Sequence, residues 1–170
     1  MILYIMRHAE AVEASDALCD EWRFLTENGR AAAERISGQI GEYGRKPRLI
    51  ISSPLVRAVQ TAQIAATKAC RKNRVVVSGL LAPGGDMDEL ITHLKGCADA
   101  KRVLVVGHEP QLGSLVAALL QRNGAISLKK ASCVALKLFP GDKEKPADFL
   151  WYMLPGKKVI TALRKAFSTP

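Results

Sequence analysis

Aromatic residues are scarce in this 170-residue chain, at 5%. None is interleaved with the basic clusters, so the stacking surfaces of a single-strand nucleic-acid groove are missing. Cysteine is sparse too. Cys19, Cys70, Cys97 and Cys133 form no CxxC pair and share no zinc-ligand spacing with His8, His93 or His108. Each reads as a small packed hydrophobe in a reducing compartment. No metal or other cofactor is expected. Long apolar runs are also missing. The opening run Ile2 to Met6 is too short for a signal segment and Arg7 follows it directly. No stretch reaches the roughly 20 residues that span a membrane. The expectation is a cytoplasmic chain without a membrane partner. No internal repeat or low-complexity tract interrupts it, so residues 1–170 read as one domain.

What the chain does carry is positive charge, a formal +9. That balance favours anionic partners such as phosphorylated proteins or small phosphorylated metabolites. The basic residues are scattered. Arg71-Lys72-Asn73-Arg74, Lys129-Lys130, Lys157-Lys158 and Arg164-Lys165 sit beside element ends and read as solvated surface, with no nucleic acid expected.

The apolar pattern alternates between strands and helices. Ile2 to Met6 is a fully apolar run of the kind found in a strand covered on both faces. Thr26 reads as a helix N-cap, Ala33, Ile36 and Ile40 share a helical face, and Gly44 reads as the stop. Arg48 to Ser52 is a second strand. Ser53-Pro54 opens the next helix, with serine at the cap and proline at the first helical position; Leu55, Val59 and Ala62 are its apolar positions. Val75 to Val77 is a short third strand, and Asp86 caps a helix through Leu94. Arg102 to Val106 is a fourth strand. Gly107-His108-Glu109-Pro110 turns it into a helix striped by Leu112, Leu115, Val116, Leu119 and Leu120, which Asn123-Gly124 ends. Ser132 to Phe139 and Phe149 to Met153 read as a hairpin-like strand pair, and a short helix fits after Gly156. This order predicts a three-layer α/β/α sandwich with a mostly parallel sheet.

In such sheets ligands bind beyond the carboxyl ends of the strands. Arg7-His8 follows the first strand, Arg57 lies in the first turn after the second, and His108 follows the fourth. A parallel sheet brings these to one edge. Taken singly, each is an ordinary loop or surface residue. Together they form a chemistry. An imidazole is a good nucleophile near neutral pH. Two guanidinium forks bind phosphoryl oxygens at two points each, and a second imidazole adds a donor. Phosphoryl transfer asks for little beyond in-line positioning and charge neutralisation.

The same residues resemble the signatures of the histidine phosphatase superfamily, also called the phosphoglycerate mutase-like family. Arg7-His8-Ala9 is similar to its Arg-His-Gly. The run Ser53-Pro54-Leu55-Val56-Arg57-Ala58-Val59-Gln60-Thr61-Ala62 is similar to its Ser-x-x-x-Arg-x-x-x-Thr-Ala. Gly107-His108 is similar to its third element. Within the superfamily, Trp22-Arg23-Phe24-Leu25-Thr26-Glu27-Asn28-Gly29 and Leu81-Ala82-Pro83-Gly84-Gly85-Asp86 resemble the small SixA-type phosphohistidine phosphatases. Ala9 and Phe24 depart from the usual glycine and proline.

The resemblance implies that His8 is the nucleophile, that Arg7, Arg57 and His108 form the phosphate pocket, and that no metal takes part. It also implies a domain without a helical insertion. Glu109 has two readings: a general acid, or a carboxylate satisfied at a helix N-terminus with Pro110 at the first helical position. Glu10 and Glu13 are weaker candidates for the acid. Arg23 is either a substrate contact or a surface arginine. The implied reaction is hydrolysis through a phosphohistidine intermediate, with protein phosphohistidine ahead of a small phosphomonoester as substrate. A mutase fits less well, and a basic nucleic-acid-binding module is the alternative of another class. A monomer is favoured.

Overall fold

The computed structural model describes residues 1–69, 75–142 and 144–167. Cys70 and the basic run Arg71 to Arg74 fall outside these residues. The strands are β1 (Ile2–Arg7), β2 (Leu49–Ser52), β3 (Val75–Val77), β4 (Arg102–Gly107), β5 (Cys133–Leu138) and β6 (Ala147–Met153). The helices are α1 (Glu27–Tyr43), α2 (Val56–Lys68), α3 (Met87–Gly96), α4 (Gln111–Leu119) and the short α5 (Leu163–Ala166). The strands form one sheet in the order β3-β2-β4-β1-β5-β6. The first four run parallel, while β5 and β6 are antiparallel to their neighbours. The hairpin-like pair expected from the sequence is therefore present.

Alternation along β1 explains the layers. Tyr4 and Met6 face a core shared with Ala33, Ile36 and Ile40 of α1 and Ala58, Ala62 and Ala65 of α2. Leu3 and Ile5 face the other core, with Leu90 and Leu94 of α3 and Leu112, Leu115 and Val116 of α4. A strand buried on both faces must be apolar at every position, which is why its sequence shows no alternation. The result is the α/β/α sandwich with a mostly parallel sheet.

Two caps match the sequence reading. Thr26 Oγ1 accepts from the Gly29 N–H at 3.0 Å, and an Asp86 carboxylate oxygen accepts from the Glu89 N–H at 2.8 Å. Gly44 ends α1 as expected. Gly29 also has a steric reason: a Cβ there would collide with the Glu10 carbonyl, so glycine lets α1 press against the loop after β1.

Other expectations are corrected. Helix α2 begins at Val56 with Leu55 in extended backbone at the cap, so Ser53 and Pro54 precede the helix. Ser53 Oγ accepts from the Leu55 N–H at 3.3 Å and also lies 2.8 Å from His108 Nε2. Helix α4 ends at Leu119 rather than at Asn123-Gly124, because Gln121 turns into the left-handed region at φ 50°. Pro110 stands at the cap of α4, one position before the expected one. Strand β6 begins two residues early, at Ala147. Of the cysteines, Cys133 is buried as a core residue and Cys97 is half-buried, but Cys19 is exposed on the β1–α1 loop. The clusters Lys129-Lys130, Lys157-Lys158 and Arg164-Lys165 are exposed, as a solvated surface requires. Among the described residues no helix is long and apolar enough to cross a membrane.

Candidate active site

The strand order sets the site. Strand β4 lies between β1 and β2, so His108 stands between the ends that carry His8 and Arg57. The backbone of His8 is held from two sides. Its N–H donates to the Gly107 carbonyl at 3.1 Å, and its carbonyl accepts from the Ala131 N–H at 3.1 Å. The Ala9 N–H donates to Thr61 Oγ1 at 3.2 Å, and that hydroxyl donates to the Arg57 carbonyl at 2.7 Å. Thr61 thus ties the β1 loop to α2. Ala9 is buried and its backbone is not in the left-handed region, so the methyl group in place of glycine fits without strain.

The two imidazoles face each other, with ring centroids 5.0 Å apart, and both are buried. His8 Nδ1 lies 2.7 Å from the Ala9 carbonyl. A carbonyl only accepts, so Nδ1 carries the proton and Nε2 keeps its lone pair. Burial pushes the His8 pKa down to about 3; the Ala9 bond opposes this, and smaller contributions from His108, Arg57 and Arg7 add to the lowering. Burial, then Arg57, lowers His108 to about 4. His108 Nε2 lies 2.8 Å from Ser53 Oγ. In the tautomer where that hydroxyl donates, the His108 proton sits on Nδ1, a buried nitrogen with no other partner.

Both folded values lie below the free value of 6.5, so the unfolded chain binds more protons between about pH 3 and 6.5. Stability is full above that window and falls as the pH drops through it. A directly checkable outcome is the ring titration of His8. Its NMR signals should keep neutral-form shifts down to pH 5, and a midpoint between 6 and 7 would contradict this environment.

The guanidinium groups sit beside the histidines. Arg7 Nη1 donates to the Leu128 carbonyl at 2.7 Å, which leaves its buried Nε without a partner. Arg57 is buried, and its Nε is also unpartnered. Its other nitrogens reach a residue that sequence reasoning missed. Nη1 donates to the Asp20 carbonyl at 2.6 Å, and Nη2 to the Asp20 carboxylate at 2.9 Å. Buried donors without acceptors are rare in folded proteins. Three such nitrogens (Arg7 Nε, Arg57 Nε and His108 Nδ1) belong to residues around His8, an arrangement suited to a small oxyanion.

The remaining candidates lie differently. Arg23 does not join the pocket directly. Its Nε donates to the Val12 carbonyl at 2.6 Å, and Nη1 pairs with Asp20 at 2.9 Å. Its second pair, with Glu13, is longer at 3.4 Å. Glu10 accepts from the Thr26 hydroxyl at 2.6 Å. The Glu109 carboxylate accepts from the Gly113 N–H at 3.0 Å. Burial raises its pKa, against bonds to Leu128, Gly113 and Ser127 that favour the charged form. Those partners fit the helix-terminal reading of Glu109. A Cβ at Gly113 would meet the Ile126 carbonyl, so this corner is tightly packed. Among the described residues no group of three acidic, histidine or cysteine side chains could hold a metal ion.

Asp20 had one readable signal, its i,i+3 spacing from Arg23. Ser53 and Thr61 lie inside a motif already singled out, but their bonds to His108 and to the Ala9 N–H join segments distant in sequence.

Comparison with known proteins agrees with this geometry. The family model of the histidine phosphatase superfamily (branch 1) matches residues 3–77, the part that carries Arg7, His8, Ser53 and Arg57. The chain is 34% identical to an uncharacterized protein of Picosynechococcus sp., over 81% of this chain and 85% of that protein. It is 30% identical to the phosphohistidine phosphatase SixA of Escherichia coli, over 91% of this chain and 94% of that one. A solved structure of the protein histidine phosphatase SixA complexed with tungstate superposes with a TM-score of 0.79 at 26% identity, covering 91% of this chain and 97% of that one. The sheet, the strand-end site and these relatives together place the chain in the histidine phosphatase superfamily, as a phosphatase.

Proposed function

We propose that the chain removes phosphoryl groups from protein phosphohistidine, with His8 as the nucleophile. The observation that carries the reading is the fixed tautomer of His8: Nδ1–H is held by the Ala9 carbonyl and Nε2 is free, inside a ring of unpartnered donors. His8 Nε2 attacks phosphorus, the substrate's P–N bond breaks, and its electron pair leaves with the substrate imidazole. Arg7, Arg57 and His108 hold the equatorial oxygens through this step. Water then attacks the phosphorylated His8, releasing inorganic phosphate and restoring the free imidazole.

The choice of substrate rests on the leaving group. An alkoxide from a sugar phosphate needs a proton as it departs. Glu109, the carboxylate beside the second histidine, is instead occupied with the Gly113 N–H. An imidazole leaves without that help once its ring is protonated. The similarity to SixA of Escherichia coli supports the same reading. We read residues 1–170 as one domain without a helical insertion, acting in the cytoplasm as a monomer. Arg23 reaches substrate only through Asp20 in this scheme.

The test is a comparison of turnover. A phosphohistidine-bearing protein should be hydrolysed with kcat/KM at least ~100-fold above phosphoserine peptide or a sugar phosphate, the range that general acid–base help to an ester would otherwise supply. Equal or faster ester hydrolysis would shift the function to a small-molecule phosphomonoesterase.

A further inference from the structure

Asp20 binds a pocket arginine, yet the reaction above does not use it. Its carboxylate is fixed from two sides, by Arg57 Nη2 and by Arg23 Nη1, each at 2.9 Å. The Arg57 side chain is 6% exposed and that of Asp20 is 54% exposed. The negative charge therefore sits on the solvent side of a buried guanidinium, at the mouth of the pocket. Three other carboxylates of this region are engaged elsewhere: Glu10 with Thr26, Glu13 with Arg23, and Glu109 with Gly113.

This position has two chemical consequences. A phosphoryl group that seeks the Arg57 fork meets a carboxylate already on it. And because His8 is buried, in-line attack sends the leaving group outward, toward the mouth. A carboxylate there repels an anionic leaving group and attracts a cationic one. It is not suited to donate a proton. Its hydrogen bonds to Arg23, then Arg57, hold its pKa below the usual carboxylate range.

We propose that Asp20 is a specificity-determining residue that favours phosphoryl groups carried on one nitrogen of an imidazole ring protonated at the other over those carried on an oxygen. The inference rests on the phosphoryl-transfer reading of the His8 pocket. In the transfer, His8 Nε2 forms its bond to phosphorus while the P–N bond breaks. The electron pair neutralises the substrate imidazolium. Its second nitrogen keeps its proton throughout, hydrogen-bonded to the Asp20 carboxylate, and the ring departs as neutral imidazole. With para-nitrophenyl phosphate the same bond change sends an anion past Asp20.

The experiment measures Asp20→Asn on two small donors, N-phosphoryl imidazole and para-nitrophenyl phosphate. The ratio of their kcat/KM values should fall about tenfold, since removing a like charge from the path of an anion helps one donor while losing a counter-charge hurts the other. Inorganic phosphate should also inhibit the variant more tightly, by about threefold, as one competing charge is removed. Asp20→Glu, which keeps the charge, should preserve most of the selectivity. A purely structural role would slow both donors alike. A ratio unchanged within about twofold, an increased ratio, or a wild type inert toward N-phosphoryl imidazole would overturn the inference. Failure of the phosphoprotein reading is seen separately, as wild-type turnover of N-phosphoryl imidazole without turnover of the phosphohistidine protein.

Discussion

His8→Ala should abolish the phosphoenzyme and reduce turnover by roughly four orders of magnitude or more, the scale seen when a covalent nucleophile is removed. The reason is specific to this pocket. His108, the other imidazole of the pocket, shares one nitrogen with Ser53, and its other nitrogen lies among the donors. The measurement is a trapping assay. Wild-type protein incubated with a labelled phosphodonor and quenched in alkali should retain phosphate that acid removes, and peptide mapping should place it on His8. His108→Ala should still take up label on His8, more slowly. Label on another residue in wild type, or activity surviving in His8→Ala, would contradict the assignment. Because His8 is 7% exposed, its removal also leaves a small void, so His8→Asn serves as the better-packed control.

Arg57→Ala should lower kcat/KM by about 10³-fold, within the range that a single transition-state arginine supplies in phosphoryl transfer. Arg57 is a buried cation on α2 that acts on both His8 and His108, and its own polar partner is Asp20 of the β1–α1 loop. Arg57→Lys should recover little, because a point charge cannot present the planar fork. The fold should survive, since Asp20 is half-exposed and rehydrates when its partner is lost. A binding measurement with inorganic phosphate, run beside a melting curve, separates loss of the pocket from loss of the fold. An Arg57→Ala protein with near-normal turnover would show that the guanidinium serves only the β1–α1 loop.

Much of this site could be read in advance because its chemistry is local to strand ends. Arg7, His8 and His108 follow apolar runs that are visible as buried strands, and Arg57 keeps a fixed distance from its own strand. The sheet edge does the rest. What could not be read depends on contacts between distant segments. Ser53 resembles a helix cap and does accept from the Leu55 N–H, but α2 begins later and His108 adds a partner from a distant segment. Asp20 lies 12 residues beyond His8 in a loop with no periodicity, and only the approach of a single 3-10 turn to α2 gives it meaning. Glu109 shows the same limit from the other direction. Its place beside His108 suggested an acid, while its bond to Gly113 depends on how α4 begins. Cys19 was expected to pack, and its exposure follows from the same irregular loop.

The position of β1 has a consequence for how the protein is made. The strand that leads to His8, the proposed nucleophile, is flanked by β4 and β5, which begin at Arg102 and Cys133. A nascent chain that has emerged as far as Arg57 holds most of the reactive groups but offers β1 no neighbour. Both of its edges stay bare until β4 and β5 are synthesised, and such edges invite pairing with other chains. The loop closures that complete the sheet span about a hundred residues or more, a topology that favours slow folding. His8 is thus synthesised well before the two strands that lock it in place. Products truncated before β5 should be inert and prone to aggregate, so the activity waits for the strands that flank β1.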